Sequence, residues 1–407
     1  MSEIHDILNR FDKHRGKIDL SLGRITEFLG RIGNPHLKIP PVIHFAGTNG
    51  KGSTIAFLKA IIEANSQLCH SYTSPHLVRF NERINISGKE IDDKFLLEIL
   101  REVEREYEKH KHEIGLTFFE LTTVTAFIAF SRVKADYILL ETGLGGQFDA
   151  TNLLAKPLLT VITPISFDHM EFLGDTLAKI AYEKAGIMKP NVPCISAPQA
   201  KEVIEVLSEV ARKNHIELMF AATHQELPKL ALAGDHQKVN ASVAIATARK
   251  IGLSEKAIAE GLTTAIWPAR MQKLTRGKLP EMLPTGFELW LDGAHNLDGA
   301  RVLAAEIGKL KKPVYLILGM MKTKDAQSYF QQFEKTINCI YTIPIPSETN
   351  CYDPEILAEM AKKLWFKAEA CDDAEEALDK IIAQKEPATI FICGSLYLAG
   401  KILENNS

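Results

Sequence analysis

Residues 42–64, VIHFAGTNGKGSTIAFLKAIIEA, constrain the fold of this chain more than any other stretch. A β-branched run enters a glycine-rich turn, Gly47-Thr48-Asn49-Gly50-Lys51-Gly52-Ser53, and leaves it with helical period. Glycine adopts positive φ without steric cost, so successive backbone N–H groups can converge on one point. The helix that follows adds the partial positive charge of its N-terminus. Together they describe an anion-binding edge of an α/β sheet, with Lys51 as a point charge for the outer phosphates of a nucleotide. The turn departs from the general GxxxxGK[ST] pattern. Position 46 is alanine and the lysine is followed by Gly52, which leaves open whether Ser53 or Thr54 reaches a magnesium ion.

Short β-branched runs at residues 42–45, 137–140, 158–162, 194–196 and 217–220 alternate with segments of helical period at 55–64, 94–111, 120–130 and 201–213. Strands that read as continuous apolar runs are buried on both faces, the pattern of a parallel sheet. The 94–111 helix puts Phe95, Ile99, Glu102 or Val103, and Glu106 or Tyr107 along one side and its charge run on a solvated face. At 266–286 the texture changes to IWPARMQKLTRGKLPEMLPTG, rich in proline, glycine and positive charge. Such a segment marks a boundary. The expected domains are 1–268, a linker at 269–286, and a smaller α/β domain at 287–407 with strands at 288–291, 314–318, 339–343 and 389–392. Helices are expected there at 297–310, 326–336, 354–364 and 374–384. The fold class is therefore α/β: an N-terminal P-loop mononucleotide-binding domain with a mostly parallel sheet, then a Rossmann-like C-terminal domain.

Composition excludes several classes. Forty-eight Lys and Arg against 51 Asp and Glu leave a formal net charge of −3, so no global field draws the chain to nucleic acid or an anionic membrane. The longest apolar stretch, near 121–130, falls short of the roughly 20 residues a spanning helix needs. The N-terminus, MSEIHDILNRFDKHRGK, carries charges throughout and lacks the apolar core of a signal peptide, so a cytoplasmic location is expected. The six cysteines show no CxxC spacing and read as reduced thiols.

Open α/β sheets bind ligands along the carboxyl edge of their strands, which directs attention to other strand ends. Glu141 closes DYILLE and opens ETGLGGQFDATN; a carboxylate there can hold Mg²⁺ or its water shell, or cap the next turn. Asp168 and His169 follow LLTVITPISF in the same relation to the edge. They are candidates for the site, or satisfied structural groups.

Several motifs occur in one order: GTNGKGS, YTSPHLVRFNERI (72–84), LTFFELTT (116–123), ETGLGGQFDATN (141–152), DHMEFLG with IAYEKAGIMK (168–189), GDHQKVNA (234–241), WPARMQ (267–272) and LDGAHN (291–296). This series resembles the folylpolyglutamate synthase and dihydrofolate synthase family of the Mur ligase superfamily, over about residues 20–400. The resemblance implies an ATP-dependent ligase that joins L-glutamate to the carboxylate of dihydropteroate or reduced folates through an acyl phosphate. It implies ATP on Thr48, Asn49, Gly50, Lys51, Gly52 and Ser53, with Asn240, Arg270 and Asp292 reaching it across an interdomain cleft. Magnesium, as one ion or two, would lie on Ser74, Glu141 and His169. Lys184 matches the lysine that the superfamily carboxylates with CO₂. Thr117, Phe118, Phe119 and Glu120, with Phe148, Asp149 and Ala150, match positions that hold the pterin. Lys51, His169, Lys184 and His295 are the catalytic candidates, and a monomer without nucleic-acid or membrane partners is expected.

Two positions depart from the family pattern. Ala269 stands where Pro-Gly-Arg is usual, which matters if the backbone there needs positive φ, and Gln147 stands where arginine is common. Two rival readings remain at this level, a cell-wall peptide ligase of the Mur type and a nucleotide-binding regulatory protein without turnover.

Overall fold

The computed structural model describes residues 3–13, 21–224, 226–333 and 336–406. Residues 1, 2 and 14–17 of the charged N-terminus, residue 20 at the start of the family resemblance, and residue 407 lie outside them. The chain divides into two compact units, Met1–Ala231 with Lys238–Ile266, and Leu232–Gln237 with Trp267–Ser407.

The first unit is built on eight strands: β1 (Val42–Ala46), β2 (Cys69–Tyr72), β3 (Ile84–Ile86), β4 (Lys89–Glu90), β5 (Tyr137–Glu141), β6 (Leu159–Ile162), β7 (Cys194–Ser196) and β8 (Leu218–Phe220). Their order is β4-β3-β2-β5-β1-β6-β7-β8, and only the β2-β3 and β3-β4 pairs are antiparallel. The apolar runs locate five of these strands to within one residue at each end. β2, β3 and β4 escape the pattern because they are short and, like Cys69-His70-Ser71-Tyr72, lack an apolar run. β1 lies between β5 and β6, so the loops leaving these three strands share one edge at the point where strand order reverses.

Cores form on both sides of this sheet. On one, the helix Phe118–Arg132 is enclosed along its length, with Leu121, Val124, Phe127 and Phe130 fully buried. Each such side chain contributes roughly 1.5–3 kcal/mol by leaving water. This helix packs against Glu3–Lys13 and Asp93–His110. The latter buries Leu96, Ile99, Leu100, Val103 and Tyr107, so its apolar stripe is rotated toward Leu96 and Leu100 and leaves Phe95 half-buried. On the other side, Ile162, Ile180, Ile187, Val203 and Leu207 form a second core.

The second unit carries β9 (Gln272–Leu274), β10 (Glu288–Leu291), β11 (Val314–Leu318), β12 (Cys339–Thr342), β13 (Ala368–Ala370) and β14 (Thr389–Cys393), in the order β13-β12-β11-β14-β10-β9. All neighbours are parallel except β9 and β10. The linker expected at 269–286 is thereby corrected: it contains an edge strand and the short helix Lys278–Glu281, whose Leu279 amide donates to Asn406 Oδ1 at 2.8 Å. Proline and glycine end short elements here and do not free the chain. Leu232–Gln237, expected in the first domain, belongs to the second unit. The helix expected at 326–336 is Ala326–Gln331, and residues 334 and 335 fall outside the described residues. Among the described residues no helix is long and apolar enough to cross a membrane.

Candidate active site

The glycine-rich loop after β1 is anchored on the loop after β6. The Thr48 and Asn49 amides donate to the Pro164 carbonyl at 2.9 and 3.3 Å. Thr48 Oγ1 donates to the Ser166 carbonyl at 2.9 Å and accepts from the Ser166 amide at 3.1 Å. Thr48 and Asn49, expected in the phosphate cradle, therefore brace it. Gly50, Lys51, Gly52 and Ser53 follow as the start of the helix Lys51–Ala64, whose first amides have no intrahelical partners. Gly50 holds φ +84°, and a Cβ there would collide with Asn240 Oδ1. Asn240, expected from across a domain boundary, thus belongs to the first unit and reaches the turn from the helix His236–Lys250. Thr54 is fully buried with its hydroxyl unpartnered inside the protein, so it faces the core. Gln199 braces the β6 loop, donating to the Thr163 carbonyl and accepting from the Ile165 amide, both at 3.0 Å. No motif marks it in the sequence.

Lys51 Nζ donates to the Gly47 carbonyl at 3.0 Å and to the Thr48 carbonyl at 3.3 Å, and lies 3.9 Å from Glu141 Oε1. Glu141, buried at the end of β5, accepts from the Ser74 amide at 3.0 Å. Lys184 comes from the last turn of the helix Leu177–Ala185 and donates to the same Gly47 carbonyl at 3.0 Å. Burial pushes its ammonium down to about 7, and the Lys51 charge adds to the effect, while Asp168, Asp149 and Glu183 oppose it. His169 is exposed, in the left-handed region at φ +50°, with Nε2 4.0 Å from Asp168 Oδ1. Among the described residues no cluster of three or more His, Cys, Asp or Glu forms. Ser74, Glu141 and His169 include one carboxylate, a donor set that fits Mg²⁺, which keeps waters and relies on substrate phosphates.

On the expected pterin side, Thr117 and Glu120 form a capping box at the start of their helix: Thr117 Oγ1 accepts from the Glu120 amide, and Glu120 Oε2 accepts from the Thr117 amide at 2.8 Å. Arg24 Nε pairs with Glu120 Oε1 at 2.9 Å. Their side chains are helix-terminating devices, legible in the T-x-x-E spacing. Phe119 packs its ring over Gly143, and Phe118 meets Phe80 edge-on with the Arg83 guanidinium 5.7 Å from its centroid. Phe148 is 37% exposed and Ala150 is buried. Asp149 points inward: its carboxylate accepts from the Gly143 and Leu144 amides at 2.8 Å and the Thr151 amide at 3.0 Å. Gln147 engages through its backbone, its amide donating to the Glu183 carbonyl at 2.8 Å.

In the second unit, Asp292 accepts from the Met271 and Ala294 amides, each at 2.8 Å, and ties the Arg270 loop to the one after β10. Arg270 Nη1 donates to the Ala269 carbonyl at 3.1 Å. Ala269 sits at φ +53°, fully buried, so the backbone keeps the left-handed conformation and Arg270 is held despite the missing glycine. His295 Nδ1 lies 2.8 Å from the Gly293 carbonyl.

A phosphate loop at the switch point of a parallel sheet, its lysine facing a buried acid, in a chain with a second α/β unit, defines the class of nucleotide-dependent Mur-type ligases. Residues 45–220 match the family described as Mur ligase middle domain, and residues 278–405 match that described as Dihydrofolate synthetase, C-terminal domain. Dihydrofolate synthase/folylpolyglutamate synthase of Bacillus subtilis is 31% identical over 421 residues, covering 94% of each chain. The solved Escherichia coli structure described as FolC in complex with DHPP and ADP is 28% identical with a TM-score of 0.86, covering 99% of this chain and 97% of that one. A Yersinia pestis bifunctional folylpolyglutamate synthase/dihydrofolate synthase complexed with AMPPNP and Mn ion is 26% identical with a TM-score of 0.84, covering 99% and 98%. The chain belongs to the folylpolyglutamate synthase/dihydrofolate synthase family, and it is an ATP-dependent ligase.

Proposed function

We propose that this ligase adds L-glutamate to dihydropteroate and to tetrahydrofolate or its polyglutamates. The observation that carries this reading is the meeting of Lys51 and Lys184 on the Gly47 carbonyl beside Glu141. The acid substrate is a poor electrophile until its carboxylate attacks the γ-phosphoryl group of ATP, giving an acyl phosphate and ADP. Lys51 neutralises charge on the transferring group as that attack proceeds. The glutamate amine then attacks the carbonyl and phosphate leaves.

Glu141, with Ser74 and His169, would hold Mg²⁺, which would supply charge neutralisation at the phosphates. Lys184 is N6-carboxylated: its neutral amine attacks CO₂, an N–C bond forms, a proton is released, and a buried cation becomes an anion that orients the acid substrate. Its value near 7 supports this, because only the neutral amine reacts with CO₂. Phe118, Phe119 and Phe148 offer the apolar surface for the pterin, backed by the buried Ala150. Gly50, Lys51, Gly52 and Ser53 take the phosphates, with Asn240 against Gly50. Water must be kept from the acyl phosphate, whose hydrolysis is the competing reaction. The enzyme acts as a cytoplasmic monomer.

One assay tests the reading. Purified protein with ATP, Mg²⁺ and L-glutamate should release phosphate on addition of dihydropteroate or tetrahydrofolate, and not on addition of a nucleotide-linked muramyl peptide. Release that neither pterin stimulates overturns it.

A further inference from the structure

His44 is a buried titratable side chain that the reaction above does not use. It lies on β1, three residues before Gly47, and is 1% exposed. Its Nε2 is 2.8 Å from Thr151 Oγ1, and Thr151 Oγ1 is 2.5 Å from Asp149 Oδ1. Asp149 in turn takes the Gly143, Leu144 and Thr151 amides. A single buried chain of hydrogen bonds therefore runs from the strand beneath the phosphate loop to the turn that follows Glu141.

The direction of the chain follows from proton counting. Burial pushes the Asp149 carboxyl up, and the hydrogen bonds it receives oppose that rise; both its oxygens act as acceptors, Oδ2 from the Gly143 and Leu144 amides and Oδ1 from the Thr151 amide. The one Thr151 hydroxyl proton must then point at Asp149 Oδ1, leaving the Thr151 oxygen to accept. His44 supplies that hydrogen bond and so carries its proton on Nε2. Burial pushes His44 down to about 3, aided by the nearby Lys189 charge, so the ring stays neutral at every working pH.

We propose that His44, acting through Thr151 and Asp149, is a positioning residue for the folate-type substrate: it fixes the turn over residues 143–150, which presents the exposed Phe148, relative to the phosphate loop. The inference rests on the function proposed above. Glu141, the last residue of β5, precedes this turn, and Gly47 follows β1; the two strands are adjacent, with Phe45 and Glu141 in register. The hydrogen-bonded chain adds a side-chain tie from β1 to Thr151, beyond the β1–β5 ladder, so the turn cannot shift relative to β1 without leaving the buried His44 N–H short of an acceptor.

The test separates positioning from mere stability. His44→Leu removes the donor; His44→Gln keeps an N–H donor near the Nε2 position; Thr151→Val removes the relay hydroxyl and Thr151→Ser keeps it. With the wild-type enzyme active on dihydropteroate, His44→Leu and Thr151→Val should raise KM for dihydropteroate about tenfold, the effect of one buried hydrogen bond. KM for ATP should stay within about twofold, and His44→Gln and Thr151→Ser should recover most of the loss. Wild-type KM for dihydropteroate in both deletion variants overturns the proposal, as does a parallel rise in both KM values without rescue. If His44→Leu does not fold, the Thr151 pair decides by the same criteria. A wild-type protein inactive on every pterin would instead refute the proposed function, which the first measurement of the series reveals.

Discussion

Lys51 and Lys184 place their ammonium groups on one acceptor, the Gly47 carbonyl oxygen, each at 3.0 Å. Two cations converge at the base of the phosphate loop, one at the mouth of the helix and one buried behind it. Lys51 has Glu141 at 3.9 Å as a counter-charge. Lys184 is the one whose proton affinity is reduced, because burial and its neighbour both disfavour the charge.

Lys51→Ala should abolish ATP turnover, lowering kcat by about 10³ or more, because it removes charge that develops its full value only at the transferring group. Phosphate release under saturating ATP measures it. Near-normal turnover would mean that the glycine-rich loop does not bind the reacting phosphates.

Lys184→Ala should cripple turnover while the fold survives, and short carboxylic acids such as acetate should restore part of it if a carbamate acts there. Wild-type activity should fall in CO₂-depleted buffer and return with bicarbonate. Full activity of the variant removes Lys184 from the site.

The same residue predicts a pH effect on stability. Lys184 titrates near 7 in the folded chain and near its ordinary 10.5 when unfolded. Between these values the unfolded chain binds the extra proton, so stability rises with pH from about 7 to 10.5 and is flat below 7. Urea unfolding in CO₂-free buffer should show this slope in wild type relative to Lys184→Met. Equal slopes would contradict the lowered value.

Gly50→Ala puts a Cβ onto Asn240 Oδ1 at a backbone φ of +84°. The turn must shift, and KM for ATP should rise about tenfold, in line with a conformational cost of about 1–2 kcal/mol. An unchanged KM for ATP would detach both residues from the nucleotide.

Ala269→Gly should act the other way. An alanine held at φ +53° is strained, and glycine at that position should stabilise the protein by about 0.5–1 kcal/mol, with activity unchanged. Thermal unfolding compared with wild type checks the sign.

Local periodicity made much of this molecule legible. The five apolar strands of the first sheet, the glycine-rich turn and the T-x-x-E cap at Thr117 and Glu120 depend on neighbours in sequence, so their residue types suffice. β2 to β4, β9 and β13 are not legible there, since strands this short are held by pairing with distant partners and not by their own pattern.

The sequence by itself determined the α/β class, the phosphate loop and, through the order of its motifs, the family. Only the tertiary structure decided which polar groups face the reaction and which hold the scaffold. Thr48 turns its hydroxyl to Ser166, Asp149 turns its carboxylate to its own loop and to Thr151, and Asn240 reaches Gly50 from within the first unit. Residue type allows either role in each case. The choice rests on burial and on partners brought close by strand order, as with Lys184 and Gly47, 137 residues apart in the chain and 3.0 Å apart in space. Hydrogen-bond satisfaction in a low-dielectric interior then leaves each side chain one arrangement.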